Sequence, residues 1–186
     1  EEQRVVAEAY EFLDEKRLLL AAELLRQLEL YERLLEEIEA LARDARQQLV
    51  AAVQRHGLQE LSVYPAASLQ GARVDMQRRN VMGVTLVDAT LAAGAGRAPL
   101  AASQPSPEAE HCRAAFAELV PRAAMLAGIS GNLYRLLAEY RRTERRARAL
   151  ENVILPEIEQ ALAQMSGFLE EADLEDAIRV RLNAGR

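Results

Sequence analysis

Tryptophan is absent from the 186 residues, and aromatic side chains are few, at five Tyr and three Phe. A sandwich or barrel core draws on aromatic and β-branched residues, so this scarcity points away from an all-β fold. Lysine is almost missing as well: Lys16 is the only one, and arginine carries the rest of the positive charge. Cys112 is the one cysteine, which excludes an internal disulfide and fits a reducing compartment. No apolar run approaches the ~20 residues of a membrane span, and the polar start Glu1-Glu2-Gln3-Arg4 lacks the pattern of a signal peptide. The expectation is a cytoplasmic protein with no direct membrane insertion, peripheral to a membrane only through partners.

Chemistry is also under-represented. A net charge of −6 excludes a general nucleic-acid binder, which needs a basic surface. There is no phosphate-binding glycine loop, dinucleotide turn or zinc-ligand spacing. Ser130, between Gly128 and Gly131, has no partnered base and is a poor nucleophile. His56, His111 and Cys112 fall near one another in the expected topology. A metal there would need further ligands, so they read as solvated histidines and a packed cysteine. The chain is expected to be no enzyme, with no cofactor and no metal.

What is present is a long helical repeat. Apolar positions step by three and four through Val6, Ala9, Leu13, Lys16, Leu20, Leu24, Leu28, Tyr31, Leu35, Ile38, Ala42, Ala45, Leu49 and Ala52. That is a coiled-coil seam, with a stutter across Leu20, Leu24 and Leu28. Lys16 sits in the seam, where it either fixes register or carries its ammonium out to water. Gly57 reads as the helix end, so the first helix spans about 4–56 and measures roughly 80 Å.

The middle, 58–105, holds Pro65, Pro99, Pro105 and the glycines Gly71, Gly83, Gly94 and Gly96. Two β-like runs, 61–64 and 81–87, predict a small hairpin or sheet, followed by a mobile segment from about Ala92 to Gln104. Ser106-Pro107-Glu108 then opens a second helix: serine caps, proline suits the first turn, and Glu108 and Glu110 oppose the helix dipole. Its seam runs through Leu126, Ser130, Leu133, Leu137, Tyr140, Thr143, Ala147, Leu150, Ile154, Ile158, Ala161, Met165, Phe168 and Ala172. Pro156 should bend it, because proline removes a backbone donor and clashes one turn back. The expected fold is all-α dominated: one elongated unit, a long antiparallel two-helix coiled-coil hairpin. Its parts are an N-terminal helix (1–57), a β-containing connector (58–105) and a C-terminal helix (106–186).

Three stretches carry a resemblance. The run 141–156, Arg141-Arg142-Thr143-Glu144-Arg145-Arg146 through Ala149-Leu150-Glu151 to Val153-Ile154-Leu155-Pro156, is similar to the signature of the D subunit of V/A-type ATPases. Phe12-Leu13-Asp14-Glu15-Lys16-Arg17 resembles that family's Leu-Leu-x-x-Lys-Arg. Asn80-Val81-Met82-Gly83-Val84 looks like its hairpin segment, and Leu174–Arg179 is a weaker echo of its C-terminal step. The three main matches occur in order across both helices and the connector. The first helix is poorer in lysine than the family's, and Glu1 lies past the family's Pro-Thr start, as expected of a truncated chain or a divergent member.

The resemblance implies a central rotor shaft that couples ATP hydrolysis or synthesis to ion translocation. Implied partners are the catalytic hexamer of A and B subunits, a small rotor protein (the F subunit), and a socket protein leading to the membrane ring. A free-standing coiled-coil scaffold or holdase chaperone is the competing reading; it gives no reason for the Val-Ile-Leu-Pro step. Arg141, Arg142, Arg145, Arg146 and Arg148 cover roughly 160° of the helical wheel opposite the seam. They are either a solvated face or a basic band toward acidic loops of the hexamer. Leu30, Leu34 and Leu41 widen the apolar arc of the first helix beyond a two-stranded stripe and are expected, as an exposed flank, to contribute to docking the F subunit.

Overall fold

The computed structural model describes residues 2–65, 71–92, 102 and 104–184. In order these form α1 (Glu2–Ser62), β1 (Arg73–Val81), β2 (Val84–Ala92), α2 (Pro107–Ala149), a π-helical turn (Leu150–Ile154) and α3 (Leu155–Ala184). Long helices thus flank one small antiparallel sheet, the class that the patterning predicts. The chain divides into two compact units, one of Glu1–Leu19 with Tyr140–Arg186, the other Leu20–Glu139.

In the unit Leu20–Glu139, α1 and α2 lie antiparallel: Gln27 meets Asn132, Glu37 meets Arg122, and His56 meets Ser106. The core consists of Leu20, Leu34, Ala45 and Ala52 from α1, Ala109, Cys112 and Leu136 from α2, and Val84, Leu86 and Ala89 from β2. Two buried amides, Gln27 and Asn132, complete it. Leu20, Ala45 and Ala52 of the predicted seam are buried, but between Leu20 and Ala45, and around Asn132 on α2, the most buried positions leave it. Gln27 is buried while Leu28 is 41% exposed, and Asn132 and Leu136 are buried more deeply than Leu133 and Leu137. A two-stranded coiled coil buries the stripe between its helices. Here the β-hairpin is a third layer, and burial on both helices rotates one residue toward it. The expected stutter at Leu20–Leu28 moves with it. Leu20, Gln27 and Leu34 keep a seven-residue step, and the eleven-residue step lies between Leu34 and Ala45.

Gly57 interrupts α1 as expected, with φ 74° and ψ 163°, a backbone region open essentially to glycine. The chain then resumes helical structure to Ser62. Leu61–Tyr64 is accordingly no strand: it closes in turns, with Val63 N–H donating to Glu60 O and Tyr64 N–H to Leu61 O. A four-residue apolar run does not distinguish strand from helix by periodicity, and no described strand pairs with it.

The hairpin itself is displaced from its predicted place. Residues 81–87, expected to be one strand, straddle the turn. Val81 pairs with Val84, and Met82 and Gly83 form a two-residue loop at φ 49° and φ 86°. Positive φ at both central residues gives the loop the twist of its flanking strands. Asn80 Oδ1 accepts the Gly83 N–H at 2.9 Å and closes the tip. The register runs unbroken from Arg73↔Ala92 to Val81↔Val84. The predicted Gly/Ala/Pro segment lies, at 93–101 and 103, outside the described residues.

α2 begins as its sequence requires. Pro107 is its first residue, and Ser106 Oγ accepts the Ala109 N–H at 3.1 Å. In the other unit, the helix widens just before Pro156: the Leu155 N–H reaches back to Leu150 O, one residue further than in an α-turn. Pro156 has no N–H to offer the Asn152 carbonyl, and such π-turns accommodate a proline ring. Thr143 and Ala147 are buried, whereas every residue from Glu159 to Arg181 is exposed. The seam predicted beyond Ile158 therefore packs on nothing among the described residues.

Candidate interaction surfaces

No group of three or more His, Cys, Asp or Glu residues is placed to hold a metal ion among the described residues, and no described helix is long and apolar enough to cross a membrane. What the molecule offers is surface.

In the unit containing Tyr140–Arg186, Arg141, Arg142, Arg145, Arg146 and Arg148 are all exposed while Thr143 and Ala147, on the opposite side of the helix, are buried. Arg148 pairs with Glu144 at 2.7 Å, and Arg145 reaches only the Arg141 carbonyl. Arg141, Arg142, Arg145 and Arg146 thus present four exposed positive charges on one side of the helix. Further along, α3 exposes Met165 (61%), Phe168 (70%), Leu169 (67%), Leu174 and Ile178. Met165, Phe168 and Leu169 share one face of the helix, and adjacent bare apolar side chains of this kind mark a contact surface.

In the unit Leu20–Glu139, an open groove of about 350 Å³ lies between α1 and α2. Leu24, Leu25, Leu28 and Tyr31 line one wall, and Ser130, Leu133, Tyr134 and Leu137 the other. Leu25 is 62% exposed and Tyr134 is 74% exposed. The hairpin is held by Asn132, which Gln27 backs, and by Glu23 through Arg79; the groove residues are the helical neighbours of the two amides, turned about 100° away on each helix. The flank expected at Leu30, Leu34 and Leu41 is not this surface. Leu34 is 6% exposed and belongs to the core, while Leu30 and Leu41 are half-buried. The burial of Leu34 removes it from any exposed flank.

The neck, where α1 ends and α2 begins, is polar within and apolar beside. His56 Nε2 and Ser106 Oγ are 2.6 Å apart, and the Tyr64 hydroxyl donates to Glu110 at 2.7 Å. That bond, ahead of desolvation and the Glu110 charge, raises the Tyr64 phenol above its ordinary range. Beside it, Leu49, Leu61, Cys112, Phe116 and Val120 border a cavity of about 420 Å³, and burial pushes the Cys112 thiol up. His111 is exposed.

Of the motif residues, Lys16 is half-buried, Arg17 pairs with Asp14, Asn80–Gly83 form the hairpin tip and Pro156 follows the π-turn. Sequence reasoning missed Gln27, Asn132, Leu25 and Tyr134. The signal lay in Gly128 and Gly131, two glycines three residues apart inside a helical pattern. A Cβ at 128 would come 2.9 Å from the Ala89 Cβ, so Gly128 is where a strand lies directly against the helix.

Glu23 joins the hairpin to α1: it accepts from Gln27 at 3.0 Å and pairs with Arg26 and Arg79. Burial alone would raise its pKa, but hydrogen bonds from Arg26 and Arg79 and their charges outweigh it and hold the carboxyl below its ordinary 4.5. A depressed folded-state value stabilises above the unfolded value and is lost as pH falls through the folded one. The thermal midpoint should therefore decline below about pH 4.3, the ordinary Glu range. A Glu23→Gln variant should lack part of that decline. Identical acid profiles for the two would show that the link contributes nothing.

A family model described as that of the ATP synthase D subunit matches residues 1–183. The chain is 24% identical over 178 residues to the V-type ATP synthase D subunit of Thermotoga neapolitana, a match that spans 96% of this chain and 88% of that one. It is 29% identical over 157 residues to the A-type ATP synthase D subunit of Thermococcus sibiricus (78% and 73% covered). With the A-type ATP synthase D subunit of Thermococcus kodakarensis it shares 30% identity over 156 residues (82% and 69%).

Proposed function

The chain belongs to the family of ATP synthase D subunits, and from that premise we propose that it is the central shaft of a rotary V/A-type ATPase. It is non-catalytic. It transmits rotation between ATP hydrolysis or synthesis in a hexamer of A and B subunits and ion flow through the membrane ring. It resides in the cytoplasm, held at the membrane through the complex. The observation that carries this reading is the surface of Tyr140–Arg186. Four exposed arginines, and a helix that bares Met165, Phe168 and Leu169, suit a shaft enclosed by other protein. The arginines face acidic loops of the hexamer. The apolar neck cavity, near Phe116, faces the socket protein.

The small rotor protein, the F subunit, docks in the Leu25–Tyr134 groove, replacing the flank expected at Leu30, Leu34 and Leu41. Burying one leucine contributes about 1.5–3 kcal/mol. A Leu25→Glu/Leu28→Glu variant, both positions being exposed, should stay helical and bind the purified F subunit at least about tenfold more weakly. Undiminished affinity would move the docking site elsewhere.

The proposal as a whole is tested by affinity capture of the chain from its native membranes. Catalytic A and B subunits should come down in stoichiometric amounts; their absence would favour a free-standing scaffold.

A further inference from the structure

The two buried amides of the unit Leu20–Glu139, Gln27 and Asn132, belong to a closed path of hydrogen bonds. The Asn132 carboxamide grips the free edge of β2: its Oδ1 accepts the Val87 N–H at 2.8 Å, and its Nδ2 donates to the Val87 carbonyl at 3.0 Å. This is the two-point pattern that an adjacent strand would offer. The second Nδ2 proton goes to Gln27 Oε1 at 3.3 Å, and Oδ1 also accepts from Arg135 at 2.7 Å. All four hydrogen-bonding positions of a fully buried amide are thereby filled. From Gln27 the path continues to Glu23 and on to Arg79, which lies on β1 opposite Leu86. It runs β2–α2–α1–β1 and returns to the hairpin where it began. Gly128 lets the Ala89 backbone seat directly on α2.

Apolar packing alone would hold a hairpin less uniquely. A strand edge satisfied by a side-chain amide has one register, because a one-residue slip would present the wrong face to the core and leave Asn132 unpaired. Strand β1, meanwhile, is exposed from Arg73 to Arg78.

We propose that Asn132 is a positioning residue that makes the hairpin a rigid arm of the helical pair, so that torque applied through exposed β1 turns α1 and α2 without hinging. The torque role rests on the shaft reading; the rigidity does not.

Hydrogen exchange on the isolated protein tests the rigidity. In Asn132→Leu, the Val87 amide and its hairpin neighbours should exchange about tenfold or more faster, while amides in the middle of α1 and α2 keep their protection. Should that variant fail to fold, Asn132→Asp keeps the acceptor for Val87 and Arg135 but loses both donors. It should give a smaller acceleration confined to the same amides. Unchanged exchange at Val87, or acceleration only in step with the helices, would overturn the proposal. In the reconstituted complex, Asn132→Asp should retain ATP hydrolysis and move fewer ions per ATP. An unchanged ratio, alongside a loosened hairpin, would overturn the torque role alone.

Discussion

A Leu34→Glu variant is expected to lose about 3 kcal/mol or more of stability, whereas Leu25→Glu, on the same helix, should lose almost none. Leu34 is 6% exposed and Leu25 is 62% exposed. The first substitution removes a buried leucine, worth about 1.5–3 kcal/mol, and adds the cost of placing a carboxylate in an apolar site. The second puts a charge into water. For a chain of this size the first corresponds to a fall of about 10 °C in thermal midpoint. Melting curves followed by circular dichroism on the two variants decide the matter. Equal midpoints would mean that the face of α1 assigned to the core is wrong.

Converting Arg141, Arg142, Arg145 and Arg146 together to glutamine should leave the isolated protein folded and cripple the assembled machine. All four side chains are exposed, and surface charges of this kind contribute about 0–1 kcal/mol each to folding. Against an acidic surface the same charges set docking and register. The expected loss of coupled activity in the reconstituted complex is about tenfold or more, with helicity and midpoint unchanged. Full coupled activity would return the arginines to the status of a solvated face.

These two predictions mark where the sequence is informative. The helices are written in the three- and four-residue steps from Val6 to Ala52, the break in α1 in Gly57, and the start of α2 in Ser106-Pro107. Each signal acts locally, through one φ angle or one serine hydroxyl, so each could be read without knowing what packs nearby. The arginine band was legible for the same reason, since helical geometry alone places it opposite Thr143 and Ala147. The face that each helix turns inward was not legible. That depends on the hairpin, and β1 carries only Val74, Met76 and Val81 as apolar residues in nine, too few to announce a strand. Without β1 the turn at Met82–Gly83 looks like the middle of a strand, Leu28 looks like core, and Leu34 looks free. Asn132 escaped notice because its partner is a backbone edge 45 residues away, which no local pattern encodes.

We propose that the chain turns inside its neighbours. In a Cys112→Ser background, a Phe168→Cys substitution, at a position 70% exposed, would be oxidised to a disulfide with a cysteine on the inner surface of one catalytic protein in the reconstituted complex. ATP turnover, measured before oxidation, after it, and again after reduction, should stop with the crosslink and return when it is broken. Undiminished turnover in the fully crosslinked complex would contradict a rotating shaft.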